Sequence, residues 1–424
     1  MRRPTGRDGM TNAASILQPT VHTYATVMKA WASCGGGGRA ASKAQALLRR
    51  MLAPTSKVRP DTVVWNVVLH AWATSGDPQA GSKARELLQE MKNLGFQPDT
   101  VSYNTVVSAI SHSGHIHAAS QAEGMLQQMR EAYEKSPASS AVPNTVSYNS
   151  VLHAWSKSSL EGAAARAEAI LNFMLQHQQK SGGTAEITPD AYSFTSTLNA
   201  LAKSQEPSKA IRAQAWLSRL LDMYKATRSP SLKPTQVAFN TVLNAAAFSA
   251  KAPIEEQRAA LQVAVQTLKL MREEKVPPDS ISYGNLLKCF ANLMPAGKVR
   301  TDMALQLFEK CCQEGYVSEL AWNEVKRAVP AKRLGEALNL NRPVTSLDVH
   351  DLPKAWQRRV SKNRLQRQKR VGGEMAKASS HSSRTRQEIT GKEEKGTFES
   401  NMKRKAVRQL RNLSEPSYDS GRDV

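Results

Sequence analysis

Apolar positions fall at helical spacing along most of the chain, and one arrangement of them returns seven times. An aromatic residue, Tyr24, Trp65, Tyr103, Tyr148, Phe194, Phe239 or Tyr283, is followed six places on by a small one: Ala30, Ala71, Ala109, Ala154, Ala200, Ala245 or Cys289. A second element begins with Ala and carries a large residue seven places later. The pairs are Ala44 and Met51, Ala84 and Met91, Ala122 and Met129, Ala167 and Met174, Ala213 and Leu220, Ala264 and Met271, and Ala304 and Cys311. Leu47 with Leu48, Leu87 with Leu88, Met125 with Leu126 and Ile170 with Leu171 fill the positions between, giving the period of an amphipathic helix. Pro and a polar residue precede the aromatic helix, and breaks containing Gly or Ser separate the two elements. The pattern predicts a helical hairpin, helix A then helix B, with the small residue marking a close approach of two helices. A single hairpin cannot bury its apolar faces, whereas stacked copies can, so the period predicts a solenoid.

A tetratricopeptide array is also built of such hairpins, but its Leu-Gly pair is missing after the aromatic here. The phrases Pro98-Asp99-Thr100-Val101-Ser102-Tyr103-Asn104, Pro143-Asn144-Thr145-Val146-Ser147-Tyr148-Asn149 and Pro60-Asp61-Thr62-Val63-Val64-Trp65-Asn66 resemble the pentatricopeptide repeat. The small residue and the Ala-to-Met helix follow each phrase at that family's offsets. The resemblance implies an all-α fold, a right-handed α-solenoid of about seven helix-turn-helix repeats over residues 21–328. A short extension at 1–20 precedes it, and a basic tail at 329–424, expected to be disordered, follows. The units run from 38 residues (62–99) to 46 (145–190), longer than is usual in the family. The excess is expected in connections such as Glu134–Val142, Gln178–Thr188 and Lys251–Glu256, where insertions cost little.

Stacking places every helix A on one side, so the residue after each aromatic forms a column: Ala25, Asn66, Asn104, Asn149, Thr195, Asn240 and Gly284. A second column follows each Pro: Asp61, Asp99, Asn144, Asp190, Thr235, Asp279 and, less regularly placed, Ser318. Asn and Asp offer the donors and acceptors that read the Watson–Crick edge of a base, an edge that single-stranded RNA exposes. The same residue types also cap helices with no ligand involved. The resemblance implies base-reading pairs: Asn66 with Asp99, Asn104 with Asn144, Asn149 with Asp190, Thr195 with Thr235, and Asn240 with Asp279. It further implies that Val63, Val101, Val146, Tyr192, Val237 and Ile281 sandwich the bases, and that Ala25 and Gly284 read weakly or not at all. By the family's rule Asn with Asp selects uracil and Asn with Asn selects cytosine or uracil, which gives a pyrimidine-rich preference, U-Y-U-N-U.

A formal charge of +22 points to a polyanionic partner without saying which. No apolar run reaches the roughly eighteen residues of a membrane span, so no membrane partner is expected. Cys34, Cys289, Cys311 and Cys312 form no Cys-x-x-Cys pair and are expected to be reduced. His112, His115 and His117 lie close together in the turn after the third helix A, yet no Cys or carboxylate completes a metal set; His70 and His153 read as packing residues. No catalytic constellation, phosphate loop, cofactor or metal site stands out. A basic run over Trp356, Gln357, Arg358, Arg359, Lys362, Arg364, Arg367, Lys369 and Arg370 opens a serine-rich end. The function expected from the resemblance is non-catalytic, sequence-selective binding of single-stranded RNA by a monomer, in RNA processing, stabilisation or translation within a mitochondrion or plastid. Two further readings stand beside it. One is a protein–protein scaffold with an RNA-tethering tail. The other is a small MutS-related nuclease-like module, faintly resembled by Leu347-Asp348-Val349-His350-Asp351-Leu352 and Ile389-Thr390-Gly391-Lys392.

Overall fold

The computed structural model describes residues 19–136, 140–180, 186–339 and 342–360. They form one compact unit of sixteen α helices with no strand among the described residues. Helices A are α1 (Val21–Ser33), α3 (Thr62–Ala73), α5 (Thr100–His112), α7 (Thr145–Lys157), α9 (Ala191–Lys203), α11 (Gln236–Ala247), α13 (Ser280–Leu293) and α15 (Glu319–Ala328). Helices B are α2 (Gly37–Leu52), α4 (Ala80–Asn93), α6 (Ala118–Lys135), α8 (Ala163–Lys180), α10 (Lys209–Thr227), α12 (Ile254–Glu273), α14 (Lys298–Glu314) and the short α16 (Ala331–Leu338).

Local chemistry fixes where each helix A begins. The carboxylate or amide of Asp61, Asp99, Asn144, Asp190 and Asp279 accepts the backbone N–H of the third helical residue, satisfying a donor the helix cannot. Thr235 makes no such bond, so α11 starts without a side-chain cap. The connectors are tied down as well: Thr100 and Thr145 donate their backbone N–H to Ser140 and Glu186, and their hydroxyls to Val142 and Thr188. The added length of the units lies largely in helix B, which grows from 14 residues in α4 to 18 in α6 and α8, 19 in α10 and 20 in α12. Extra turns of helix satisfy their own backbone, which a long open connector would not.

The Ala and the large residue seven places on in each of the first seven helices B, from Ala44 and Met51 to Ala304 and Cys311, are all 0 % exposed. Each Met side chain so placed contributes about 1.5–3 kcal/mol of burial. The small residues of helix A, Ala71, Ala109, Ala154, Ala200, Ala245 and Cys289, are likewise buried, whereas Ala30 is exposed because no described helix covers that side of α1. Consecutive helices A touch along their length, while among helices B extensive contact occurs between α10 and α12. Helices A thus form one continuous layer, and its uncovered side is the inner face.

The expected boundary at 329 moves. Leu334, Leu338, Val344, Leu347, Leu352 and Trp356 are buried against the last helices, the Trp322 indole donates to Leu347 O at 3.0 Å, and Val317 N–H donates to Trp356 O at 2.9 Å. Residues 331–339 and 342–357 thus cover the end of the array, whose open apolar face would otherwise meet water. The segment Leu347 to Leu352 is part of this cover, with a 3-10 turn at Val349–Asp351, and it contains no strand. The expectations for 1–18 and for 361–424, including Ile389 to Lys392, lie outside the described residues.

Candidate nucleic-acid interface

First-column residues occupy the fifth position of helix A and cap nothing. Asn inside a helix is unfavourable unless its side chain finds a partner beyond the local backbone. That partner is the cap of the following repeat. Asn66 Nδ2 donates to Asp99 Oδ1 and Oδ2, both at 3.1 Å; Asn149 Nδ2 to Asp190 at 3.2 and 3.1 Å; and Asn240 Nδ2 to Asp279 Oδ1 at 3.0 Å. Asn104 Nδ2 reaches Asn144 Oδ1 at 3.4 Å. Four of the five pairs expected from the sequence are therefore in direct contact. The fifth is not: the Thr195 hydroxyl donates back to Ala191 O at 2.6 Å, away from Thr235. Capping and column formation are not alternatives, since one carboxylate caps its own helix and holds the amide of the previous one.

One turn before each column residue stands an apolar side chain. Val63, Val101, Val146, Tyr192 and Val237 are 50–57 % exposed, and Ile281 is half-buried. Val and Ile are exposed elsewhere as well, at Ile116, Ile254 and Val299 among others, so what distinguishes this row is its recurrence at the second position of successive helices A. The end positions are closed. Ala25 is buried, and a Cβ on Gly284 would lie 2.6 Å from Leu320 Cδ2, so Leu320 of α15 fills the space where a reading side chain would stand.

Toward the C-terminal ends of α5, α7 and α9 the inner face becomes aromatic and basic. The rings of His112 and His153 stack at 5.1 Å, the Tyr192 hydroxyl lies 2.9 Å from His153 Nδ1, and Lys203 Nζ donates to Ser156 O at 2.8 Å. Burial pushes His153 below its ordinary pKa, and His112, Lys157 and Lys203 add to the effect. His115 and His117 are 5.8 Å apart, and no group of three or more His, Cys, Asp or Glu among the described residues is placed to hold a metal. Cys289, Cys311 and Cys312 are buried free thiols whose pKa burial raises, that of Cys311 to about 12. No helix among the described residues is long and apolar enough to cross a membrane.

Sequence reasoning missed the serines at the third position of helix A. Ser102, Ser193 and Ser282 are fully buried, and each bonds both the Asn of the preceding repeat and its own cap. The available signal was Asp followed three residues later by Ser, a reciprocal capping pattern. Clamps on the outer side were missed too: Trp155 and Arg166 share Glu123, and Trp216 and Arg212 share Glu168, joining neighbouring repeats.

Residues 60–121 match the model of the PPR repeat family. Nothing among curated proteins matches the chain. Among solved structures it is similar to the pentatricopeptide repeat protein PPR10 from maize, with a TM-score of 0.43 and 19 % identity over 79 % of this chain and 46 % of that one. PPR10 in complex with an 18-nt psaJ RNA element gives a TM-score of 0.41 and 20 % identity over 78 % and 47 %. The chain thus spans about half the length of these structures.

Proposed function

We propose that this chain, whose residues 60–121 match the PPR repeat family, binds single-stranded RNA through its array, reading one base per repeat with a preference for a short pyrimidine-rich strand. The observation that carries this reading is the register on the inner face: an exposed apolar residue beside an Asn paired to the next repeat's cap, recurring at Asn66, Asn104, Asn149 and Asn240. A planar base covers the apolar residue, and the paired amide presents a spare donor and acceptor to its Watson–Crick edge. A duplex conceals that edge. Positive charge favours the phosphates, and it is not confined to the end of the chain: residues 361–424 hold 16 Lys and Arg against 8 Asp and Glu, out of an excess of 22.

With base stacking worth roughly 1–3 kcal/mol each and about five pairs in play, affinity is modest and salt-dependent. The protein acts as a monomer and without catalysis, holding a transcript segment during processing, stabilisation or translation. The setting, a mitochondrion or plastid, rests on the family alone. Selection of strands from a random single-stranded RNA pool at near-physiological salt tests the reading. We expect enrichment of a U-Y-U-N-U motif, and Asn66→Ala with Asn149→Ala lowers affinity for the selected strand about tenfold. A purine-only strand that binds as tightly as the selected one would sink the proposal.

A further inference from the structure

In three repeats the Asn amide is held from both sides. Asp99, Asp190 and Asp279 carry only acceptors, so the Nδ2 end of Asn66, Asn149 and Asn240 turns toward them. The opposite end meets a hydroxyl: Ser102, Ser193 and Ser282 donate to the three Asn Oδ1 atoms, each at 2.6 Å. Each hydroxyl in turn accepts the backbone N–H of the Asp cap, at 3.1–3.2 Å, which leaves its single proton directed toward the Asn and the carboxylate. Turning the amide over would set its oxygen against a carboxylate and its NH2 against the hydroxyl proton.

Repeat three lacks this arrangement. Ser147 makes the same capping contacts, accepting from Asn144 N–H at 3.2 Å and donating to Asn144 Oδ1 at 3.2 Å, but no bond joins it to Asn104. Asn104 Oδ1 is buried without a partner, so the amide is held at its Nδ2 end alone, by the 3.4 Å contact to the Asn144 cap. Repeat five replaces all three members at once, with Thr195, Thr235 and, at the serine position, Ala238.

We propose that Ser102, Ser193 and Ser282 are positioning residues that lock the amides of Asn66, Asn149 and Asn240 in one orientation and so set which pyrimidine those repeats accept; this rests on the RNA reading above. Uracil presents a donor at N3 and an acceptor at O4, whereas cytosine presents an acceptor at N3 and a donor at N4. A half-turn of an amide exchanges its donor and acceptor. A locked amide therefore distinguishes the two bases, and the amide of Asn104, held at one end only, accommodates both.

The test uses the full chain and pairs of strands differing by U or C at the bases aligned with repeats two, four and six. In Ser102→Ala/Ser193→Ala/Ser282→Ala the U-over-C affinity ratio falls about fivefold at each position, the worth of one hydrogen bond. Ser147→Ala, which loses only capping contacts, leaves the ratio at repeat three unchanged. Should the triple variant fail to fold, Ser102→Ala alone is read at repeat two. A wild-type preference that survives Ser102→Ala overturns the lock and leaves the RNA reading intact; a wild type with no U-over-C preference overturns the RNA reading and the lock with it. Without RNA, side-chain amide exchange by NMR should be slower at Asn66, Asn149 and Asn240 than at Asn104, and faster in the variants. Equal exchange at all four overturns the lock on its own.

Discussion

Helices B repeat one solution: Ala84 with Met91, Ala122 with Met129 and Ala167 with Met174 bracket a face that admits no water. Helices A keep an aromatic and a small packing residue in every copy, while the fifth residue runs Ala25, Asn66, Asn104, Asn149, Thr195, Asn240, Gly284. The difference follows from what each side must do. The outer core tolerates little change in volume, because protein interiors are close-packed and a missing methylene is felt. The inner column borders a half-open surface, where one polar side chain replaces another at small cost to stability. Stability and selectivity are thus carried by different residues of the same hairpin.

That separation can be attacked from either side. The largest effect is expected in the outer core: Met129→Ala, at a side chain with no exposure, should cost about 2–5 kcal/mol. Because repeats contact mainly their neighbours, the loss should appear in hydrogen exchange as early opening of repeats three and four ahead of the ends. A uniform drop across the array would mean that it folds as one block. Next comes the inner face. Val101→Ser with Val146→Ser removes two side chains that are more than half exposed, so the unfolding free energy from urea titration should change by no more than about 0.5 kcal/mol per site. Affinity for the selected RNA should meanwhile fall about tenfold through lost apolar contact. A double variant that loses stability and keeps RNA affinity would reverse the assignment of the two faces.

The outer core was legible because helical burial writes itself as a period, and seven copies of Ala and a large residue leave no other reading. The first and second columns were legible as positions, and four of the five pairs proved to be in contact. The caps that Asp99 and Asp190 offered in the sequence are present, and the same carboxylates also hold the preceding Asn. What stayed hidden depends on atoms three dozen or more residues apart. Ser102 looks like an ordinary first-turn serine, and nothing in its neighbourhood along the chain says that its hydroxyl reaches Asn66. The end of the array was misjudged for a different reason. The sequence over 331–357 is too irregular to show a period, and its few buried apolar residues, Leu334, Leu338, Val344, Leu347, Leu352 and Trp356, suffice because they cover one open face rather than build a core.

The smallest expected effect also separates the two faces, because it depends on one histidine of the inner face, His153. His153 stacks on His112, meets the Tyr192 hydroxyl and lies near Lys157 and Lys203, and burial first, then these positive neighbours, hold its pKa below the usual value of about 6.5. The folded state therefore binds its proton less readily than the unfolded state. As pH falls below about 6.5 the unfolded chain takes up more protons, so stability present above that pH is progressively lost. Thermal melts at constant ionic strength should show a falling midpoint from pH 7 to 5.5, and His153→Gln should remove part of that slope; an unchanged slope would exclude His153 as its source. Bound RNA should act in the opposite sense. A phosphate near this basic corner favours the protonated ring, so linkage requires affinity to rise as pH falls from 7 toward 6, and His153→Gln should flatten that rise. An outer-face variant such as Met129→Ala has no proton to exchange and should leave the pH dependence of binding as it is.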